Sequence, residues 1–167
     1  DEIGSGMLET LRKLRNERSV KAVVLRINSG GGSGLMSEQI WREVTLLKKD
    51  RPVIVSMGDY AASGGYYIAC AADRIVAEPT TITGSIGVFW LVPSLGRTLS
   101  RKLGMDVETV NTNSSSDWLN GMRTMTESES EIVQQSVDRF YDTFVRRVAD
   151  GRRLGVRYVD EIAQGRV

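Results

Sequence analysis

A chain of 167 residues, 41% hydrophobic and 26% charged, has the size and composition of one folded globular domain with a sizeable core. A formal net charge of +1 leaves no basic excess, which argues against nucleic acid as a partner, and no apolar run reaches the length of a membrane span. The absence of histidine excludes a Ser-His-Asp triad, a Cys-His pair and a His-ligated metal, while the single cysteine, Cys70, lies in an apolar stretch and excludes an internal disulfide.

Met7, Leu8, Leu11 and Leu14 recur at helical spacing and predict an amphipathic helix over Ser5–Asn16. Residues 21–28 read as a short buried strand around Ala22-Val23-Val24-Leu25. It runs into Asn28-Ser29-Gly30-Gly31-Gly32-Ser33-Gly34, after which Ile40, Trp41, Val44 and Leu47 mark a second helix closing at Lys48-Lys49-Asp50. The glycine loop has three readings. It is a phosphate cradle, although G-x-G-x-x-G and a following Gly-Lys-Ser/Thr are both missing. It presents a backbone N–H to an oxyanion, where glycine permits close approach. Or it is a flexible turn.

The apolar run 52–55 leads into Gly58-Asp59-Tyr60-Ala61-Ala62-Ser63-Gly64-Gly65-Tyr66-Tyr67-Ile68, and the Ala-rich stretch 68–72 leads out. This predicts a buried strand, a tight turn and a helix, with Ser63 at the turn. Ala61 and Gly65 stand two residues to either side, which meets the steric demand of a serine nucleophile on a sharp strand-to-helix turn. The helix start places the Gly64 N–H near the hydroxyl, where it would bind an oxyanion. The alternative is that Ser63 caps a helix and the glycines allow close packing.

Residues 74–77 predict a short strand, Glu78-Pro79 a turn, and residues 80–89, with Thr83-Gly84-Ser85-Ile86-Gly87 at their centre, a kinked strand. Residues 95–103 predict a helix and 106–110 a short strand, with Val107 and Thr109 alternating. Residues 111–124 are the most polar and least patterned and predict a poorly ordered loop. Thr126-Glu127-Ser128-Glu129 is a capping box that opens the longest helix, to about Asp150. Ile132, Val133, Val137, Phe140, Tyr141, Phe144, Val145 and Val148 form its apolar face, a core or subunit contact rather than a cofactor box. Gly151 is the predicted stop, Arg146, Arg147, Arg152, Arg153 and Arg157 are predicted to face solvent in the main, and Val159, Ile162 and Ala163 allow one more short helix. Strands alternating with helices predict an α/β fold with a mainly parallel sheet.

Taken together, Asn28-Ser29-Gly30-Gly31-Gly32, Ala61-Ala62-Ser63-Gly64-Gly65-Tyr66, Thr83-Gly84-Ser85-Ile86-Gly87 and the long helix ending Ala149-Asp150-Gly151-Arg152 resemble, in order and spacing, the signal peptide peptidase A family, also called protease IV. The resemblance covers essentially the whole chain, and the 22-residue spacing of Ser63 and Ser85 is its most specific part. It implies a Clp protease/crotonase-like fold of stacked β-β-α units and a Ser-Lys dyad, which agrees with the absence of histidine. By position Ser63 matches the nucleophile and Ser85 the serine that hydrogen-bonds the base lysine. Gly64 matches one oxyanion donor, and Gly31 or Gly32 the other. Gly30 stands where the family carries proline. In short members the lysine follows the strand that matches 106–110; here Ser116 falls at that place, and no lysine occurs after Lys102. Long members carry two such domains, the lysine in the first and the serine in the second, and this chain resembles the second.

The residues support that expectation from another side. A base lysine must be neutral near pH 7, which demands burial or a cationic neighbour, and Lys13, Lys48, Lys49 and Lys102 fall on polar helix faces or ends, while Lys21 opens a strand. The resemblance therefore implies a single peptidase domain over 1–167, a piece of a longer two-domain chain, completed by the lysine-bearing N-terminal domain of the parent. Its substrate would be an apolar, signal-peptide-like peptide. The parent would be a homo-oligomer at the bacterial cytoplasmic membrane, with the peptidase domain on the extracytoplasmic side. No cofactor and no nucleic acid are implied. The competing functions are a non-catalytic peptide-binding or scaffold domain of the same family and a crotonase-like acyl-CoA enzyme, which fold alone does not separate.

Overall fold

Val23, Leu25, Ile27 and Ser29 are buried while Val24, Arg26 and Asn28 are exposed, the alternation of a strand with one face on a core. The computed structural model describes residues 3–167. In chain order it contains α1 Ser5–Asn16, β1 Val23–Ser29, α2 Gly34–Leu47, β2 Val53–Ala62, α3 Gly64–Ala69, β3 Arg74–Val76, β4 Ile82–Gly84, α4 Gly96–Leu103, α5 Glu127–Arg152 and α6 Val156–Ile162. They fall into two compact units: residues up to Val88 together with Phe140–Val167, and Phe89–Arg139.

The first unit is built on a parallel sheet, as the strand-helix alternation predicts. The strand order is β1-β2-β3, and β4 pairs with β2 as well. Leu8 and Leu11 of α1 and Ile40, Val44 and Leu47 of α2 share one cluster with Val23, Leu25, Val53, Val55 and Met57 from the sheet. A second cluster joins Tyr67 and Cys70, Ile86, Phe144, Val145, Val148 and Ala149 of α5, and Val159 and Ala163. Cys70 is core, as its apolar setting predicts; burial pushes its thiol up to about 12, and its Sγ–H donates to the Tyr67 carbonyl at 3.0 Å.

One irregularity in the sheet bears on the site. β1 and β2 run in register from Val23↔Val53 to Ile27↔Met57, and then Ser29 pairs with Ala61. Four residues of β2 thus advance against two of β1, a bulge in β2. The Asn28 Oδ1 accepts from the Tyr60 N–H at 3.1 Å, and Gly58 is where a Cβ would lie 2.6 Å from that same oxygen. Past the bulge β2 continues to Ala62, where it pairs with β4 and stops at Ser63.

The second unit contains α4, the start of α5 and the irregular stretches around them. The capping box is present as read: the Thr126 N–H donates to Glu129 Oε2 at 2.8 Å and the Glu129 N–H to Thr126 Oγ1 at 3.3 Å. Residues 111–124 carry no helix or strand, but they are not featureless. Arg123 donates to Asp117 Oδ1 and to Glu129 Oε1, each at 2.7 Å, and both carboxylates are buried.

Three expectations are corrected. Residues 106–110 form no strand; all are exposed and none pairs with a neighbour strand, and alternation without a ladder partner does not make a strand. The strand expected over 80–89 is only β4, because Ser85 turns to a φ of 47°. Gly151 does not end α5, which runs to Arg152 with Arg153 at a φ of 57°. Gly151 is instead where a Cβ would strike the Cys70 carbonyl, so glycine lets the helix pass over the end of α3. Of the five arginines Arg146, Arg153 and Arg157 are exposed, as expected in the main, while Arg147 lies 3.7 Å over the Trp41 ring and Arg152 donates to the Ala72 carbonyl at 3.0 Å.

Candidate active site

Ser63 sits where the small residues around it predict, between the last residue of β2 and the first of α3, and it is half-buried. Its backbone takes φ 49° and ψ −119°, a conformation that costs an ordinary L-residue about 1–3 kcal/mol. Its N–H donates to the Gly84 carbonyl at 3.0 Å, and its own carbonyl accepts from the Tyr67 N–H at 2.8 Å. Its side chain makes no capping bond to the helix, which removes the reading of Ser63 as a conventional N-cap. The glycines after it are sterically required. A Cβ on Gly64 would lie 2.6 Å from the Ser37 Oγ, and one on Gly65 would lie 2.7 Å from the Ser29 carbonyl oxygen.

The glycine loop after β1 comes to the same place. A Cβ on Gly31 would lie 2.9 Å from the Ser63 Cβ, 3.0 Å from the Gly64 nitrogen and 3.2 Å from the Ser63 Oγ. Gly31 and Gly32 have φ of 119° and 148°, conformations that side chains rarely adopt. The two differ in what holds them. The Gly31 N–H donates to the buried Ser29 hydroxyl at 3.2 Å, and that hydroxyl donates back to the Gly31 carbonyl at 3.2 Å. The Gly32 nitrogen instead lies 3.3 Å from the place a Cβ on Gly64 would take. Gly30 has open space around it, so its side-chain position is free of the site.

Ser85 is brought to Ser63 by the sheet. β2 and β4 pair in parallel with Ala62 opposite Gly84, the last pair of that ladder, and Ser63 and Ser85 are the residues that follow on the two strands. The 22-residue spacing is thus the register of one strand pair. Both serines take a positive φ, 49° and 47°.

Among the described residues no lysine is buried. Lys13, Lys21, Lys49 and Lys102 are exposed, and the Lys48 Nζ is taken up by the Ala71 carbonyl at 3.0 Å and Asp73 at 3.6 Å. Ser116, at the position where short relatives of the resembled family carry lysine, donates its hydroxyl to the Asn113 carbonyl at 3.2 Å.

Sequence reasoning missed the polar cluster that braces α3. The Tyr67 hydroxyl donates to Glu38, whose Oε1 accepts from the Arg147 Nη2 at 2.7 Å, while Arg147 stacks on Trp41. Burial, with the Glu38 bond second, pushes the Tyr67 phenol above its ordinary range. Tyr67 stands four residues after Ser63, so this cluster fixes the helix whose first turn carries the site. The available signal was the flank position of Arg147, one residue from Val148 on the apolar face of α5.

The model of Peptidase family S49 matches residues 45–167. The chain is 40% identical over 166 residues to the chloroplastic serine protease SPPA of Arabidopsis thaliana, covering 99% of this chain and 24% of that protein. It is 41% identical over 165 residues to protease 4 of Haemophilus influenzae, covering 98% of this chain and 26% of that protein. A putative signal peptide peptidase SppA of Enterococcus faecium is 37% identical over 96% of this chain and 46% of its own length. The chain thus spans about a quarter to a half of the length of these relatives. Among solved structures, a ClpP1 mutant from Listeria monocytogenes matches with a TM-score of 0.60 at 15% identity, over 96% of this chain and 73% of that one. The fold is therefore Clp protease-like, α/β with a parallel sheet.

Proposed function

Because this chain belongs to peptidase family S49, we propose that it is the serine-bearing domain of an endopeptidase that cleaves apolar peptides such as released signal peptides. Ser63 is the nucleophile. Its oxygen adds to the scissile carbonyl, its proton passes to a general base, and collapse of the tetrahedral species expels the amine and leaves an acyl-enzyme that water hydrolyses. The Gly64 and Gly32 N–H groups hold the oxyanion. Of the two glycines in the loop, Gly32 is preferred because the Gly31 N–H is engaged by Ser29. Ser85 orients the base, a lysine supplied by another domain of the parent chain, and no lysine of this chain is buried. The parent works as a homo-oligomer at the bacterial cytoplasmic membrane, with this domain on the extracytoplasmic side. No helix of the described chain is long and apolar enough to cross a membrane, so any span would lie elsewhere in the parent.

The observation that carries this reading is the Ser63 turn: a strained serine, uncommitted to capping, with Gly31 so near that a Cβ there would lie 2.9 Å from the Ser63 Cβ and 3.2 Å from its Oγ. Strain of this kind persists where surrounding structure over-determines it, and it concentrates at functional sites. The test is treatment of the full parent with a fluorophosphonate, followed by peptide mass spectrometry. An adduct on Ser63, lost in Ser63→Ala together with peptide cleavage, is the expected result; an intact Ser63 under conditions that label other serine peptidases overturns it. The isolated chain should be nearly inactive, since general-base help is worth roughly 10²–10⁴ in rate. Adding the lysine-bearing domain should restore cleavage, with a rate that rises toward alkaline pH as the lysine loses its proton.

A further inference from the structure

β4 ends at Gly84, so the ladder with β2 does not reach Ser85. We infer that the Gln164-Gly165-Arg166 segment after α6 is a positioning element for the serine pair: its backbone holds Ser85 at its positive φ and, through Gly84, holds Ser63. The inference rests on the reading of Ser63 and Ser85 as the reactive pair.

The contacts are reciprocal. The Ser85 N–H donates to the Arg166 carbonyl at 2.7 Å, and the Gly165 N–H donates to the Ile86 carbonyl at 2.9 Å. They grip the Ser85–Ile86 unit from one side, while the Gly84 carbonyl accepts from the Ser63 N–H at 3.0 Å on the other. The segment is itself bent to reach this place. Gln164 and Gly165 take φ of 63° and 73° in succession. The Arg166 guanidinium holds the bend by donating to the Glu161 carbonyl at 2.7 Å and to Gln164 Oε1 at 3.1 Å. Ala163 anchors its root, fully buried in the cluster that contains Ile86. The approach is close enough to demand glycine at 87, where a Cβ would lie 3.0 Å from both Cα and N of Gly165. A Cβ on Gly84 would lie 3.3 Å from the Arg166 carbonyl oxygen.

A strained residue relaxes when its restraints are withdrawn. Displacing the segment frees Ser85 to return to an ordinary φ, which moves the hydroxyl that would orient the base. It also loosens the Gly84 carbonyl that fixes the Ser63 turn. The segment lies about eighty positions from Ser85 in sequence and touches no reacting atom, so its role is positioning.

The experiment uses the full parent protein with Gly87→Ala, Gly165→Ala and Arg166→Ala. Gly155→Ala serves as control, because Gly155 has open space around it and φ of −70°. Two readouts are taken: single-residue hydrogen exchange at the Ser63 and Ser85 amides, and the fluorophosphonate labelling rate of Ser63 against pH. In Gly87→Ala and Gly165→Ala both amides should exchange about tenfold faster with the β1 amides unchanged. Labelling should slow about tenfold with a displaced pH midpoint, and Arg166→Ala should show the same pattern more weakly. The control should match the parent. Unchanged exchange at Ser63 while Ser85 exchanges faster overturns the inference, and so does faster exchange spread equally over β1. If Gly87→Ala does not fold, Gly165→Ala decides, since a Cβ there meets no atom and acts through the bend alone. A parent in which Ser63 is never labelled overturns the peptidase reading alone; the exchange at Ser63 still decides the positioning role.

Discussion

In the unit that carries Ser63, side chains such as Tyr67, Phe144, Val148 and Ile40 are enclosed, and parallel ladders join β2 to β1, β3 and β4. In the Phe89–Arg139 unit the same kinds of side chain lie open, Phe89 at 90% and Leu91 at 80% exposure, and α4 buries no residue. What organises this second unit is charge and backbone: the Arg123 fork between Asp117 and Glu129, the Thr126 capping box, and the Leu95 N–H donating to the Gly121 carbonyl at 2.7 Å. The contrast shows what each kind of bonding can support. A packed unit with backbone hydrogen bonds holds two serines at strained φ against relaxation, whereas a polar clasp sets a loop's path and stays sensitive to pH.

Four measurements break or sharpen that contrast. The largest effect is expected from packing. Phe144→Ala should lose about 3–5 kcal/mol in urea unfolding because Phe144 is enclosed in the first unit. Ile132→Ala, half exposed on the same helix in the second unit, should change stability by no more than ~0.5 kcal/mol. Equal losses would show that the two units do not differ in packing. Next, Gly31→Ala puts a Cβ against Ser63 at a φ of 119° and should slow the labelling of Ser63 in the parent at least about tenfold, with a melting temperature lowered by the strain at that φ. Labelling at the parent rate would remove this loop from the site.

The third test is pH. Hydrogen bonds from Arg123 hold the Asp117 carboxyl well below the usual carboxylate range and lower Glu129 from 4.5 to about 2. Both folded values are depressed, so the stabilisation is complete above about pH 4.5 and is lost as pH falls toward 2. Protection against hydrogen exchange over residues 111–124, taken relative to the intrinsic rate at each pH, should therefore fall in that window, and Arg123→Met should show low protection already at neutral pH. A loop indifferent to both would not be held by this clasp. The smallest effect is expected at the helix start, where Thr126→Ala removes one half of the capping box and should cost about 1 kcal/mol, read from the same urea curves.

Residue spacing alone determined what is local. The helix Ser5–Asn16, the Thr126-Glu129 box and the small residues around Ser63 all act within four positions of one another, so each is written where it works. The relation of Ser63 to Ser85 was legible as a spacing, but its meaning as the Ala62↔Gly84 register belongs to the folded sheet. Other features were decided by tertiary structure alone. Gly151 looks like a helix stop until the Cys70 carbonyl is seen beneath it, and Arg147 looks like a solvated charge until Trp41 and Glu38 arrive from more than a hundred residues away. Residues 106–110 alternate like a strand, yet no ladder partner comes to them. Gly31 and Gly32 are the same residue type in adjacent positions, and only the Ser29 hydroxyl, folded back onto the loop, separates the bound N–H from the one beside Gly64. Propensity and periodicity report what a segment does with itself. Which partner a backbone group or a charge meets depends on chain closure over tens of residues, and that is settled only when the core forms.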